Sequence, residues 1–447
     1  MKHIAVLDVG KTNAKLALVE GASLREIAVV TRPNTVRPGP PYPHFDLAGH
    51  WAFFLTHLAA FQAAHGVDAI SVTTHGASIV LLDETGALAA PMLDYEHPGP
   101  DALAPAYDSL RPPFAATGSA RLPLGLNVGA QLHWLLQDKD LARRTAHILT
   151  YPGYWGWRLT GVMSCDVTSL GCHTDLWEPA SARFSPLVET LGLTAKMAPA
   201  RKPAEVLGTI SAEVAQATGL PPSTPVSVGI HDSNASLYPY ILGRAAPFAV
   251  VSTGTWVVAM AIGGAPVALD PARDGLVNVN ALGQPVPSAR FMGGREYELL
   301  REGCTPPQPQ DRAAVLAGIM LLPAVEPGSG PFPGHQMRWT APPATGGQRM
   351  LAVSWYLALM TQTCLGLIGA RGPVIVEGPF ARNPDYLDML AALCPFGVEI
   401  ATSATGTSTG AALLALGSGA APATTPVRPP ADAPALAGYA ARWRDTT

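Results

Sequence analysis

In the run Gly229-Ile-His-Asp-Ser-Asn-Ala-Ser236, Asp232 stands after the apolar strand-like segment Val226 to Val228 and before a helix-like run. This puts a carboxylate at the carboxyl end of a strand, the side on which α/β proteins collect ligands. A carboxylate there can accept the proton of a hydroxyl that attacks a phosphoryl group. Asp and Ser also serve as helix N-caps, and the residues alone hold both readings open. Gly10-Lys11-Thr12 joins backbone amides, a hydroxyl and a positive charge in one tight turn, a combination suited to phosphate. It is not a P-loop, because Ala5 stands where the earlier glycine belongs and Asn13 to Val19 alternates like a strand. Thr253-Gly254-Thr255 is a second small, hydroxylated turn. Two such turns facing each other across a cleft would clamp a nucleotide. Asp8, beside the first turn, could hold Mg²⁺ through water or simply cap the turn.

Thr73-Thr-His-Gly-Ala-Ser78 follows the apolar run Ala69 to Val72. A serine nucleophile is excluded, since Ile79 and Val80 follow Ser78 where Gly-x-Ser-x-Gly needs a glycine. His75 is either a hydrogen-bond donor to a polar ligand or a satisfied, part-buried side chain. His44, His50 and His57 do not have metal-ligand spacing. Val374-Ile-Val-Glu-Gly-Pro-Phe-Ala-Arg-Asn383 reads as a strand entering a glycine turn, then a helix over Pro384 to Leu393, a strand over Gly397 to Ile400 and a small-residue helix over Gly406 to Leu416. Gly406 and Gly410 predict close helix packing or close approach of a nucleotide base; that helix is too short to span a membrane.

The elements that must position these groups alternate. Ile4 to Val19 and Phe248 to Ile262 each read as strand, polar glycine turn, strand, which suggests a fold-level duplication. Helix-like spacing marks Trp51 to His65, Val128 to Thr145 and Ser211 to Thr218, and short apolar runs mark strands at Ala69 to Val72, Ile79 to Leu82, Val226 to Gly229 and Val374 to Val376. The pattern predicts an α/β architecture with a domain boundary near Gly243 to Ala246, hence domains 1–244 and 245–447. Gly- and Pro-rich loops fall at Arg32 to Pro43, Thr305 to Gln310, Pro323 to Gly347 and Ser418 to Pro434, and Leu436 to Thr447 reads as a small docking helix.

Composition removes several function classes. With 447 residues, 48% hydrophobic and 14% charged, the chain has ample core for two large domains. A net charge of −4 with charges placed singly argues against nucleic acid as a partner. Five scattered cysteines without a C-x-x-C pair suit reduced thiols in a cytoplasm and predict no zinc site. Asp8 interrupts the first apolar run, which argues against an export signal. Ala245 to Leu269 is uncharged, but Ser252 to Thr255 and Gly263, Gly264 and Pro266 break it, so a β-hairpin rather than a membrane span is expected.

In this order and spacing, the segments resemble the FGGY family of carbohydrate kinases, over nearly the whole chain. Asp8-Val-Gly-Lys-Thr-Asn13 looks like that family's first phosphate hairpin, Ser252-Thr-Gly-Thr-Trp256 its second, Glu377-Gly-Pro-Phe-Ala-Arg-Asn383 its adenosine-side turn and Gly229-Ile-His-Asp232 its general-base segment. Leu132-His-Trp-Leu135, Tyr154-Trp-Gly-Trp-Arg-Leu-Thr-Gly161 and Met320-Leu-Leu-Pro323 are weaker echoes. The resemblance implies an actin-like ATPase fold, two ribonuclease-H-like domains facing each other across a cleft, with the sugar mainly on the N-terminal domain and ATP mainly on the C-terminal one. It implies that Asp232 deprotonates the sugar hydroxyl, with His75, Gly76, Ala77, His231 and Trp155 also on the sugar side. By the same likeness, Gly10, Lys11, Thr12, Asn13, Thr253, Gly254 and Thr255 meet the phosphates, Gly378 and Asn383 border the adenosine, and Asp8 and Asp232 position Mg²⁺. The implied partners are a small sugar and ATP, and a homodimer is an arrangement the likeness allows.

Three departures from the family pattern stand out. Lys11 replaces a small residue, Glu377-Gly-Pro-Phe replaces a run of glycines, and Gly-Pro-rich sequence follows Leu322-Pro323 where a Gly-Glu-Arg run is common. Trp256 and the His231-Asp232 pair look most like the fuculokinase and rhamnulokinase branch, which implies a ketose acceptor, a deoxy-ketohexose such as fuculose or rhamnulose included. A pentulose or polyol kinase, a non-catalytic sugar or nucleotide sensor, and an actin-like ATPase without a sugar acceptor are the competing readings. Selectivity is expected from loops around Tyr95, His97 and Trp155.

Overall fold

The segments flanking the Gly10 turn are apolar on both faces, so they are stable only inside a sheet covered on both sides. In the structure, a computed structural model that describes residues 2–402, 406–419 and 421–447, His3–Val9 and Asn13–Glu20 pair antiparallel, Leu7 against Leu16 and Val9 against Ala14. Arg25–Pro33 continues the sheet beyond Asn13–Glu20, and Ala69–Thr74 lies parallel on the other side of His3–Val9. Pro225–Ser227 and Val206–Thr209 complete that edge. Ile230–His231 also pairs in parallel with Thr73 and Thr74, which brings the His231 segment beside the His75 turn.

The second hairpin repeats the plan. Phe248–Thr253 pairs antiparallel with Val257–Ile262, Pro285–Phe291 extends the far side, and Val374–Glu377 lies parallel beside Phe248–Thr253. Val398–Ala401 and Thr424–Val427 follow. In both sheets the segment that leaves the parallel strand therefore emerges next to the hairpin turn.

Several expected boundaries move for local reasons. The helix expected from Trp51 runs Leu47–His65, since Asp46 accepts the Gly49 N–H and caps it one turn earlier. The helix expected over Val128 to Thr145 is two, Val128–Leu135 and Lys139–Arg144, with Asp138 capping the second. Ser211 caps Ala212–Thr218. The C-terminal helix spans Ala433–Thr446, longer than expected, and buries Leu436, Tyr439 and Trp443. Trp443 Nε1 donates to the Leu321 carbonyl at 2.7 Å.

Two compact units result. The first runs to Arg244 and adds Val277–Pro285 and a segment carrying the helix Thr407–Leu416; the second holds most of the remainder. That helix belongs to the first unit because Ala411 to Leu414 bury against Ile4, Val6 and Ala69. Gly410 is required there: a Cβ would overlap the Ala235 carbonyl oxygen of the facing helix Asp232–Gly243. Helix packing thus explains this glycine, and no approach of a base is needed. Ala245 to Leu269 contains the hairpin, as its breaks demand. The helix Gly346–Leu367 is long and apolar enough to cross a membrane, but most of it is buried within its own unit.

Candidate active site

Asp232 is the first residue of the helix Asp232–Gly243, and His231 occupies the N-cap position, so the capping reading of Asp232 does not hold. Its Oδ1 accepts from the Ser233 N–H at 2.6 Å and from His231 Nε2 at 3.1 Å. The Asn234 amide donates to His231 Nδ1 at 3.4 Å, which fixes the proton on Nε2 and makes His231 the donor to Asp232. His231 is itself anchored, since its backbone N–H donates to Thr168 Oγ1 at 2.9 Å and Thr168 donates to the buried Asp166. Oδ2 of Asp232 has no hydrogen-bond partner among the described residues.

His75 is buried between Phe45, Tyr95 and Tyr151, with ring centroids 5.1, 5.5 and 5.2 Å away. Nδ1 lies 2.9 Å from the Gly76 carbonyl, which can only accept, so Nδ1 carries the proton. Burial holds the imidazole pKa below its ordinary value, with the charges of Asp232, Lys11 and His231 all acting on it. The neutral ring leaves Nε2 as a buried acceptor without a partner. The sequence reading of His75 as a donor is corrected on this point: with Nδ1 spent on the Gly76 carbonyl, the ring has only an acceptor, Nε2, left to offer. Gly76 lies against His231, since a Cβ there would come within 2.7 Å of Nε2. The Ala77 carbonyl accepts from Gln131 Nε2 at 2.7 Å.

At the first turn the Gly10 N–H donates to the Asn13 carbonyl at 2.9 Å, and Asn34 braces the loop through the carbonyls of Gly10 and Thr12. Thr12 and Asn13 are exposed. Lys11 does not extend toward solvent. Its ammonium pairs with Asp94 and with Glu96 at 3.3 Å, over the rings of Tyr95 at 4.5 Å and Phe45 at 5.1 Å. Asp8 Oδ2 accepts from Thr407 and from Ser408 at 3.3 Å and pairs with Lys15 at 3.3 Å. Burial raises the Asp8 pKa against the opposing pull of Lys15, and the Asp232 charge raises it further.

The second turn serves a different purpose. The Thr253 hydroxyl is buried and donates to the Glu377 carbonyl at 2.5 Å while accepting the Phe380 N–H at 3.1 Å. It ties the hairpin to the Glu377–Phe380 turn, which corrects its expected phosphate contact. Gly378 has φ +85, and a Cβ would overlap the Thr253 carbonyl oxygen. Gly254 and Thr255 are exposed and form one end of a cavity of about 1070 Å³. Its walls include Arg295, Tyr297, Arg301, Phe380 and Asn383. Asn383 also caps the helix Pro384–Leu393 and donates to Ser354 at 3.0 Å. Gly378 is not among the walls.

Trp155 is a further correction. It is fully buried, edge-on to Phe54 at 5.4 Å and Tyr154 at 5.0 Å, so it forms core and supports Tyr151 rather than meeting a ligand. Sequence reasoning missed the helix Gly293–Leu300, which supplies the Arg295–Tyr297 wall and whose first amides approach the Thr255 carbonyl at 3.2 and 3.3 Å. The Gly293-Gly294 pair after an apolar strand was the available signal. Thr407 and Ser408 had none, since they reach Asp8 across some 400 residues of sequence.

A model of the "FGGY family of carbohydrate kinases, N-terminal domain" matches residues 3–238, and one of "Carbohydrate kinase FGGY, C-terminal domain" matches 245–424. The chain belongs to the FGGY family of carbohydrate kinases. A solved carbohydrate kinase from Novosphingobium aromaticivorans is 38% identical, with 99% of each chain covered and a TM-score of 0.92. A xylulose kinase from Lactobacillus acidophilus is 15% identical, with 100% of this chain and 98% of that one covered and a TM-score of 0.80. A Plasmodium falciparum glycerol kinase with ADP is 13% identical, with 100% and 97% covered and a TM-score of 0.79. The latter two share the fold. No curated protein matches. This FGGY kinase is a two-domain α/β phosphotransferase that uses ATP. Nothing in these likenesses separates the fuculokinase and rhamnulokinase branch from the others.

Proposed function

We propose that this kinase phosphorylates a hydroxyl of a ketose, with Asp232 as general base and His75 as a sugar contact. The observation that carries this reading is the pairing of an anchored Asp232 carboxylate with a neutral, buried His75 whose Nε2 has no partner. Asp232 takes the acceptor proton as the hydroxyl oxygen bonds to the γ-phosphorus, and the bond to the β–γ bridging oxygen breaks to release ADP. His75 accepts a hydrogen bond from a second sugar hydroxyl and so orients the ring or chain. The first unit is the sugar-binding domain and the second the ATP-binding domain, with adenosine in the cavity walled by Tyr297 and Phe380. The turns of Gly10, Thr12, Asn13, Gly254 and Thr255 meet the phosphates; the Gly10 and Gly254 N–H groups close their own turns, so the exposed Thr12 and Thr255 hydroxyls and the Asn13 side chain are the donors offered.

The acidic pair fits Mg²⁺. Burial, and to a smaller degree the Asp232 charge, raises the cost of ionising Asp8, which a cation would relieve, and Mg²⁺ binds through one or two carboxylates together with substrate phosphates. When bound, the ion neutralises charge on the transferring phosphoryl group. Among the described residues no cluster of three or more His, Cys, Asp or Glu could hold a metal. The free thiols support a cytoplasmic setting.

A deoxy-ketohexose rests on the motif likeness at Trp256 and His231-Asp232, and a pentulose is the second reading, favoured by the xylulose kinases among the structural relatives. Screening L-fuculose, L-rhamnulose, D-xylulose, glycerol and D-gluconate for ADP release decides between them. Asp232→Ala should lower kcat by about 10²–10⁴-fold with ATP affinity within twofold. Undiminished acceptor-dependent turnover in that variant refutes the base.

A further inference from the structure

Lys11 sits in a turn whose amides and hydroxyls suit phosphate, yet its side chain is engaged elsewhere. Three of its four partners, Asp94, Tyr95 and Glu96, lie on one short turn segment, and the fourth, Phe45, packs on His75 as Tyr95 does. Asp94 is buried, so its carboxylate needs a cation, and Lys11 supplies it. One ammonium between two carboxylates leaves the group a net negative charge, which repels phosphate rather than attracting it. The Asp94 backbone is pinned by its N–H to the Pro43 carbonyl at 2.9 Å. Asp94 Oδ1 takes Lys11 and the Glu96 N–H, and Oδ2 has no hydrogen-bond partner among the described residues.

We propose that Lys11 is a positioning residue for the acceptor sugar, locking Asp94-Tyr95-Glu96 and Phe45 around His75, with Asp94 Oδ2 accepting a sugar hydroxyl. This rests on the reading that His75 and Asp232 receive the sugar. The lysine that the turn carries toward one substrate thus acts on the other.

Steady-state kinetics with both substrates varied, on the best acceptor of the panel above, test it. Lys11→Met should raise the acceptor KM about tenfold or more and leave the ATP KM within twofold, while Lys11→Arg restores the acceptor KM to within about threefold. Asp94→Asn should reproduce the acceptor effect, and the double variant should be no worse than the worse single one, the signature of two groups acting together. A raised ATP KM with an unchanged acceptor KM in Lys11→Met overturns the proposal and makes Lys11 a phosphate ligand. If Lys11→Met does not fold, Lys11→Arg and Asp94→Asn decide by the same split. His75→Gln keeps the two failures apart: an unchanged acceptor KM there, with Lys11→Met still raising it, sinks the His75 contact and leaves the lysine's role standing.

Discussion

The two glycine hairpins share a local pattern, a sheet position and a parallel neighbour, but their turn residues do opposite jobs. In the first, Lys11 reaches out to residues some 83–85 positions away on a loop around His75. In the second, Thr253 folds inward and its hydroxyl fastens the hairpin to Glu377 and Phe380. The segment after the parallel strand makes the difference. In the first unit it is His75-Gly76, a side chain with an open acceptor; in the second it is Gly378-Pro379, backbone pressed against backbone. On the proposed reading one hairpin is a wall of the sugar site, whereas the other is a brace that presents its exposed Gly254 and Thr255 to a cavity.

The sharpest way to break this contrast is at the brace. Gly378→Ala forces a Cβ into the Thr253 carbonyl at positive φ and should destabilise by about 3–5 kcal/mol. Gly10→Ala, whose Cβ would meet nothing closer than 3.5 Å, should unfold within a degree or two of the parent. Equal thermal midpoints for both variants would remove the brace from the account.

The supports of the two hairpins should also respond to pH with opposite sign. His50, whose Nε2 donates to Asn34 at 2.7 Å behind the first turn, is held neutral by burial at a pKa of about 4 against an ordinary 6.5. The unfolded chain protonates first, so its contribution is lost as pH falls from 6.5 to 4. Burial raises Glu296, on the helix behind the second turn, to about 7 from 4.5. The folded chain keeps a proton that the unfolded chain releases, so stability is lost as pH rises from 4.5 to 7. Each effect is at most about 3 kcal/mol. Melting temperature against pH should flatten on the acid side in His50→Asn and on the neutral side in Glu296→Gln; unchanged slopes between pH 5 and 7 count against this.

A smaller effect separates the threonines. Thr253→Val loses two buried hydrogen bonds and should cost about 1–3 kcal/mol, whereas Thr12→Val, at an exposed position, should change stability by less than about 0.5 kcal/mol and act only on the ATP KM. Chemical denaturation beside ATP titration resolves the pair.

Local pattern alone was enough for the two hairpins, the parallel strands beside them and the place of Asp232 at a strand end, because alternation, glycine turns and apolar runs are properties of neighbouring residues. Helix starts were legible only where a cap such as Ser211 announced them, and Asp46 was passed over. What no local signal carried was which long side chain meets which distant group. Lys11 finds Asp94, Thr253 finds Glu377, and Thr407 finds Asp8 only after the strands align in register, since each pair is separated by about 80 to 400 residues. Burial then decided the chemistry: it made His75 a neutral acceptor and turned Trp155 from a sugar contact into core, because desolvation depends on the whole surrounding structure and not on the residues next in line.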